Sequence, residues 1–176
     1  YDSQAVDSDE SFVITEAGGT ITVTAFGSAE TFTGVDAIYF DGGAGNDRLV
    51  IDSTVTVEVI AYGGAGNDYL AAGTVGGEFY GGEGDDVLVS GIGEDLLDGG
   101  AGNDTYSLVD GFGSNDTISE LSDNGTDILD LSSITSAITF SVGESATDGV
   151  NTVNLSPHIE VVRGTDKDAT LRVIST

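Results

Sequence analysis

The chain has 176 residues, about one domain, and sets 31 Asp and Glu against 4 Lys and Arg, for a formal charge of −27. That balance excludes nucleic acid and anionic membranes as partners, since both are held by clustered Lys and Arg, and no apolar run approaches the ~20 residues of a membrane span. With no cysteine there is no disulfide framework and no thiolate metal site.

Charge of one sign opposes a compact state unless cations bind, and low aromatic content with high acidity suits disorder. Yet 39% of the residues are hydrophobic and they fall at periodic positions. Disorder is therefore expected only without cations. The chain opens at Tyr1 with no initiator Met, as expected of a processed or excised piece of something longer.

In chain order, residues 1–11 are polar and acidic and are expected to fray. Residues 12–40 alternate apolar and polar (Phe12, Ile14; Ile21, Val23; Val35, Ile38, Phe40), which predicts strands leading into a glycine loop. That loop is GGAGND, Gly42–Asp47, with Leu49 two places on. Val55, Val57 and Val59 then alternate and predict a longer strand. GGAGND returns at Gly63–Asp68 and Gly99–Asp104, and Gly81–Asp86 reads GGEGDD.

From Gly63 a nine-residue count runs without interruption through Ala72, Gly81, Ser90 and Gly99. The unit at 90 reads SGIGED and keeps Gly91, Gly93 and Asp95; the unit at 72 reads AGTVGG and has Gly77 where the Asp belongs. The apolar slots are Leu70, Phe79, Leu88, Leu97 and Tyr106. A short fixed period with one apolar slot per unit predicts a solenoid, in which stacked units bury a thin continuous core. The glycines let the backbone turn tightly and aim its carbonyls inward. The Asp brings a carboxylate to the same point. Carbonyls and carboxylates without thiol or imidazole form a calcium ligand set.

Past Asp104 the pattern loosens. GFGSND (Gly111–Asp116, then Ile118) has one extra residue, DNGTD (Asp123–Asp127, then Leu129) is half a turn, and Arg163–Asp168 is a weaker echo. Strands are expected at Ile134–Val142, Val150–Leu155 and Ile159–Val162. Three of the four basic residues, Arg163, Lys167 and Arg172, lie in the last 14 residues, where they blunt the open end or meet an acidic neighbour.

Several features carry bland readings. Asp2, Asp7, Asp9, Asp36 and Asp148 read as solvated surface, and Asn46, Asn67 and Asn103 as structural turn residues. GFGSND lacks the Lys of a phosphate loop. His158, the single histidine, reads as a turn or surface residue, with no Cys or GxSxG elbow to make it catalytic. A glycosidase-like carboxylate pair carries no signal among 31 acids.

The nonapeptide resembles the repeat of the RTX (repeats-in-toxin) family over residues 42–130, and the tail NDTYSLVDGFGSNDTISE resembles segments that interrupt or end such arrays in large secreted bacterial proteins. The resemblance implies an all-β fold, a parallel β-roll or β-solenoid, in which two nonapeptides make one coil. Loops two units apart then stack on one edge at the ~4.8 Å strand spacing. It further implies that each ion sits between stacked loops, taking first and third carbonyls from one, second and fourth from the other, and both carboxylates. Carried onto this chain, one edge holds Gly42, Ala44 and Asp47; Gly63, Gly64, Ala65, Gly66 and Asp68; Gly81, Gly82, Glu83, Gly84 and Asp86; Gly99, Gly100, Ala101, Gly102 and Asp104; and Gly125 with Asp127. The other holds Ser90, Gly91, Gly93 and Asp95, then Gly111, Gly113 and Asp116, with an ion missing near 72–77. Roughly four or five calcium ions are expected.

The expected organisation is a strand-rich lead-in over 1–41, a calcium roll over 42–130 and a strand-rich cap over 131–176. The expected function is a calcium-binding structural module of a secreted or cell-surface bacterial protein, without catalysis of its own, that folds on calcium after export. Its partners are calcium, neighbouring modules of the parent chain or like subunits, with no nucleic acid and no membrane insertion. The alternatives are the carboxy-terminal folding and secretion domain of a secreted protease or lipase, and a self-assembling subunit of a fibre or surface layer.

Overall fold

A computed structural model describes residues 8–113, 115–120, 125–135, 139–141, 145–147, 152–155, 157, 159–164 and 170–172. His158, Lys167, Asp2, Asp7 and Asp148 lie outside them. All regular elements among the described residues are strands. The first seven are β1 (Ser11–Ala17), β2 (Thr20–Ala25), β3 (Ser28–Thr33), β4 (Ala37–Ala44), β5 (Arg48–Ile51), β6 (Glu58–Ala65) and β7 (Tyr69–Ala71). Next come β8 (Gly77–Glu83), β9 (Val87–Val89), β10 (Leu96–Ala101), β11 (Thr105–Ser107), β12 (Asp116–Ser119) and β13 (Asp127–Asp130). The last are β14 (Thr139–Ser141), β15 (Ser145–Thr147), β16 (Thr152–Leu155), β17 (Ile159–Arg163) and β18 (Thr170–Arg172).

From β3 to β14 successive strands alternate between two sheets, so each coil there gives one strand to each. The first sheet runs β17-β13-β11-β9-β7-β5-β1-β2-β3, the second β18-β14-β15-β16-β12-β10-β8-β6-β4. From β1 to β17 along the first sheet, and from β4 to β16 along the second, the pairing is parallel. This is a parallel β-roll, as the repeat period requires.

The core follows from the register. Phe12, Leu49, Leu70, Leu88, Tyr106, Leu129 and Val162 stack in one column. Phe40, Ala61, Phe79, Leu97 and Ile118 stack in the other. Leu49, Leu70, Leu88, Leu97 and Tyr106 are wholly buried. Each such Leu stabilises the roll by about 1.5–3 kcal/mol relative to exposure, and only its neighbours above and below complete its pocket.

The alternation over 12–40 resolves into β1–β4, with β2 and β3 added antiparallel to β1 at the end of the first sheet. The longer strand expected from Val55 instead begins at Glu58. Residues 52–54 form a turn in which Asp52 Oδ1 accepts from the backbone N–H and hydroxyl of Thr54, and Val55 is buried below it. The three residues by which this coil exceeds 18 are thus taken up at a corner.

At the far end the strand expected from Ile134 starts at Thr139. Ile134 sits in a turn, its N–H donating to the Leu131 carbonyl at 3.0 Å, and is buried there. Arg163 lies on β17, the last strand of its sheet, 3.8 Å from Asp130. Arg172 lies on β18, the last strand of the other. The fraying expected for 1–11 does not extend to residues 8–11, because Arg48 N–H donates to Glu10 O at 2.8 Å and Ser11 pairs with Arg48.

Candidate metal centre

Five aspartates line up along one edge of the roll. The backbone N–H of Asp47 donates to Asp68 Oδ1 (2.7 Å), that of Asp68 to Asp86 Oδ1 (2.7 Å), and that of Asp86 to Asp104 Oδ1 (2.8 Å). Asp104 N–H donates in turn to Asp127 Oδ1 at 2.9 Å. Each carboxylate therefore reaches back to the preceding coil with one oxygen. The other oxygen, Oδ2, of Asp47, Asp68 and Asp86 is buried and takes no hydrogen bond.

The residue just before each Asp builds a second ladder in the opposite sense. Asn46 Oδ1 accepts from the N–H of Asn67, Asn67 Oδ1 from Asp85, and Asp85 Oδ1 from Asn103. The structural role read for these asparagines has this form: Asn reaches forward one coil while Asp reaches back. The ladder starts earlier than the glycines suggest. Asp9 Oδ1 accepts from Asn46 N–H at 2.8 Å, and Glu10 N–H donates to Asp47 Oδ1 at 2.8 Å. Asp9 is exposed, as its reading as solvated surface expects, and it also takes the first place in this ladder. Residues 8–10 thus form a glycine-free end loop, and absence of glycine hid it.

The glycines shape the space beside Oδ2. A Cβ on Gly63 would overlap Asp68 Oδ2 and the Gly81 carbonyl oxygen; Gly42 and Gly81 stand in the same relation to Asp47 with Gly63 O, and to Asp86 with Gly99 O. The first glycine of each loop therefore keeps a cage open. Gly64 and Gly66, at φ 117° and 130°, hold the left-handed region that turns the loop. The same pair of positive angles recurs at Gly43 and Gly45, Gly82 and Gly84, and Gly100 and Gly102.

Burial dominates the electrostatics. It pushes Asp47 up from 3.8 to about 6 and Asp86 to about 7, against the lowering effect of the backbone hydrogen bond each accepts. Asp68 is raised for the same reason. An anionic oxygen buried without a donor is costly. Neither Arg48 nor Arg163 answers it: Arg48 lies over the Tyr69 ring at 4.5 Å, and Arg163 faces Asp130. Hard oxygens around a cage that a methyl group would fill fit calcium. Gly42, Gly63, Gly64, Gly66, Gly81, Gly82, Gly84, Gly99, Gly100 and Gly102 all line this edge, with Ala44, Ala65, Glu83 and Ala101 between them.

The opposite edge is built differently. Asp95 N–H donates to Asp116 Oδ1 at 3.0 Å, so the structure brings these two together. Asp95 accepts from Gly77 N–H on Oδ1 (3.0 Å) and from Gly91 N–H on Oδ2 (2.8 Å). Asp116 Oδ2 accepts from Gly113 N–H at 3.1 Å. Gly91, Gly93 and Gly113 lack the positive φ of the first-edge pairs; Gly111 has φ 81°. Here loop N–H groups meet both oxygens of each carboxylate, and a Cβ on Gly113 would overlap the Gly93 carbonyl oxygen and Asp116 Oδ1. Burial still raises Asp95 to about 6 and Asp116 to about 7. Ser90 is buried, and Gly77 takes the ladder place without a carboxylate.

One acid absent from the sequence reading joins the first edge. Carboxylate oxygens of Asp104, Glu120 and Asp127 lie within 4.8 Å of one another, all three residues buried. Glu120 Oε2 accepts from the Tyr106 hydroxyl, which accepts from Gly99 N–H at 2.6 Å. Gly125 lies in the short loop before Asp127. The one sequence signal was a tyrosine in a slot otherwise filled by leucine or phenylalanine.

Comparison with known proteins agrees with this geometry. The model of the RTX calcium-binding nonapeptide repeat matches in four copies, over residues 39–50, 60–74 and 78–106. Neither a curated protein nor a solved structure gives a match. The matched residues take in the four open first-edge loops and, within 78–106, the second-edge loop at 90–95; over these residues the chain carries RTX calcium-binding repeats, folded as a parallel β-roll.

Proposed function

We propose that the chain is a calcium-dependent structural module of a secreted or cell-surface bacterial protein, extended where calcium is scarce and folded after export. The observation that carries this reading is the row of buried Oδ2 atoms on Asp47, Asp68 and Asp86, which no protein donor satisfies. A divalent ion in each gap supplies the missing charge, so binding energy becomes folding energy. Extracellular calcium modules bind at roughly 10⁻⁴–10⁻³ M, which suits a switch between cytosol and medium. Among the described residues no helix is long and apolar enough to cross a membrane.

The proposed ligand sets lie between consecutive first-edge loops: Asp47 with Asp68, Asp68 with Asp86, Asp86 with Asp104, and Asp104 with Asp127. Loop carbonyls complete the first three. The second edge, whose carboxylates already hold N–H donors, takes calcium more weakly or not at all. In this reading residues 1–41 lead into the roll, 42–130 form it and 131–176 close it. The terminal strands are where neighbouring modules or like subunits meet. Native mass spectrometry of the whole chain in calcium is expected to count about four tightly held ions. A chain that keeps none after mild desalting into calcium-containing buffer overturns the reading.

A further inference from the structure

Past the last regular repeat the chain changes how it builds a rung. Ser119 pairs with Asp98, so Glu120 takes the register place that Gly99 holds one coil earlier. In four loops that place is glycine, because a Cβ there enters the space beside the loop's own Asp. At 120 it carries a long acidic side chain that is only 5% exposed. The segment from Glu120 to Asp127 retains just one glycine, Gly125. The glycine pair of the regular loops, as at Gly64 and Gly66, has no counterpart in that sequence.

The rung nonetheless continues the ladder of aspartates and is not an isolated acidic patch. Asp104 occupies the same register as Asp47, Asp68 and Asp86, whose Oδ2 atoms are buried without a donor. Its Oδ1 accepts from Asp86 N–H, and its own N–H donates to Asp127 Oδ1. Into this place comes Glu120, its carboxylate within 4.8 Å of both. Three carboxylates so close repel, and a shared proton or a cation among them relieves the repulsion.

Tyr106 explains how Glu120 is held. Its column is otherwise apolar: Leu49, Leu70, Leu88 and Leu129. A buried phenol requires partners. It takes Gly99 N–H as donor and gives its proton to Glu120 Oε2. The tyrosine and the glutamate depart from the repeat together, and they touch.

We propose that Glu120 is a direct calcium ligand of the last first-edge site, replacing loop carbonyls there, with Tyr106 as its positioning residue. With three carboxylates in place of two, this site binds calcium most tightly and fills first, because charge count and rigidity set affinity in oxygen cages. The proposal rests on the calcium-module reading above.

The test uses the whole chain, calcium calorimetry and terbium(III) luminescence excited through tyrosine. Wild type is expected to show one tight site ahead of the rest. Glu120→Gln weakens that site about tenfold or more and leaves the others. With terbium, the first equivalent emits through Tyr106, and Tyr106→Phe removes that early emission. Later equivalents still emit, since Tyr39, Tyr62 and Tyr80 line the outer face beside the other loops. An unchanged tight site in Glu120→Gln overturns the proposal. If that variant does not fold in calcium, Tyr106→Phe decides, and early emission that persists overturns it. Wild type that binds no calcium sinks the module reading itself, a separate result.

Discussion

The backbone N–H of Asp68 donates to Asp86 Oδ1 at 2.7 Å, 18 residues on, while Asp86 Oδ2 stays buried without a hydrogen bond. One oxygen thus fastens two coils, and the other has no hydrogen-bond donor and is the one assigned to calcium in the proposed function. The two jobs can be separated by mutation.

Asp86→Asn keeps a carbonyl oxygen for Asp68 N–H but removes the buried charge. Without calcium the variant is expected to be more ordered than wild type, by about 1–3 kcal/mol, the cost of an unsatisfied buried group. With calcium it is expected to lose a tight site and melt lower. Paired thermal melts in chelator and in millimolar calcium read both signs, and a shift of the same sign in both would contradict the division of labour.

Gly63→Ala places a methyl group against Asp68 Oδ2 and the Gly81 carbonyl oxygen. Overpacking of this kind costs about 1–3 kcal/mol, and here it also fills a cage. The variant is expected to bind one ion fewer by calorimetry. Ala65→Gly in the same loop, which adds no atom to the cage, is expected to keep the full count.

The buried acids make the calcium-free roll sensitive to pH. Burial raises Asp47 and Asp95 to about 6, and Asp86 and Asp116 to about 7, from 3.8. Between those limits the folded chain holds more protons than the unfolded one, so stability falls as pH rises through the window. In chelator, β-structure by circular dichroism is expected to be greater at pH 5 than at pH 8. Calcium is expected to reverse the trend, since protons compete for the same oxygens.

Magnesium tests the cage by size. It demands short octahedral bonds and sheds water reluctantly, so millimolar magnesium is expected to leave the chain largely unfolded by circular dichroism. Folding by magnesium at the same concentration as by calcium would contradict a carbonyl-rich site.

Much of this architecture could be read from the chain. The nine-residue count placed Leu70, Phe79, Leu88, Leu97 and Tyr106, and all are buried. It worked because a solenoid repeats one local rule, so sequence period and spatial period coincide. It was blind where the rung persists without glycine. Residues 8–10 continue both ladders through backbone N–H groups and Asp9, features that carry no repeat signature. Glu120 was hidden because its partners Asp104 and Asp127 come close only through the stacking of coils. The two edges also looked alike in sequence, yet Oδ2 of Asp95 and of Asp116 accepts an N–H where Oδ2 of Asp68 and of Asp86 accepts none. That contrast depends on the sign of φ at the glycines, which residue identity permits but does not set.

The most direct measurement is a calcium titration of the intact chain from chelator into the millimolar range, followed by far-ultraviolet circular dichroism. The stacked carboxylates call for a disordered spectrum at the start and a cooperative rise of β-structure as the cages fill. A chain equally folded and equally heat-resistant in chelator and in calcium at neutral pH would contradict the account.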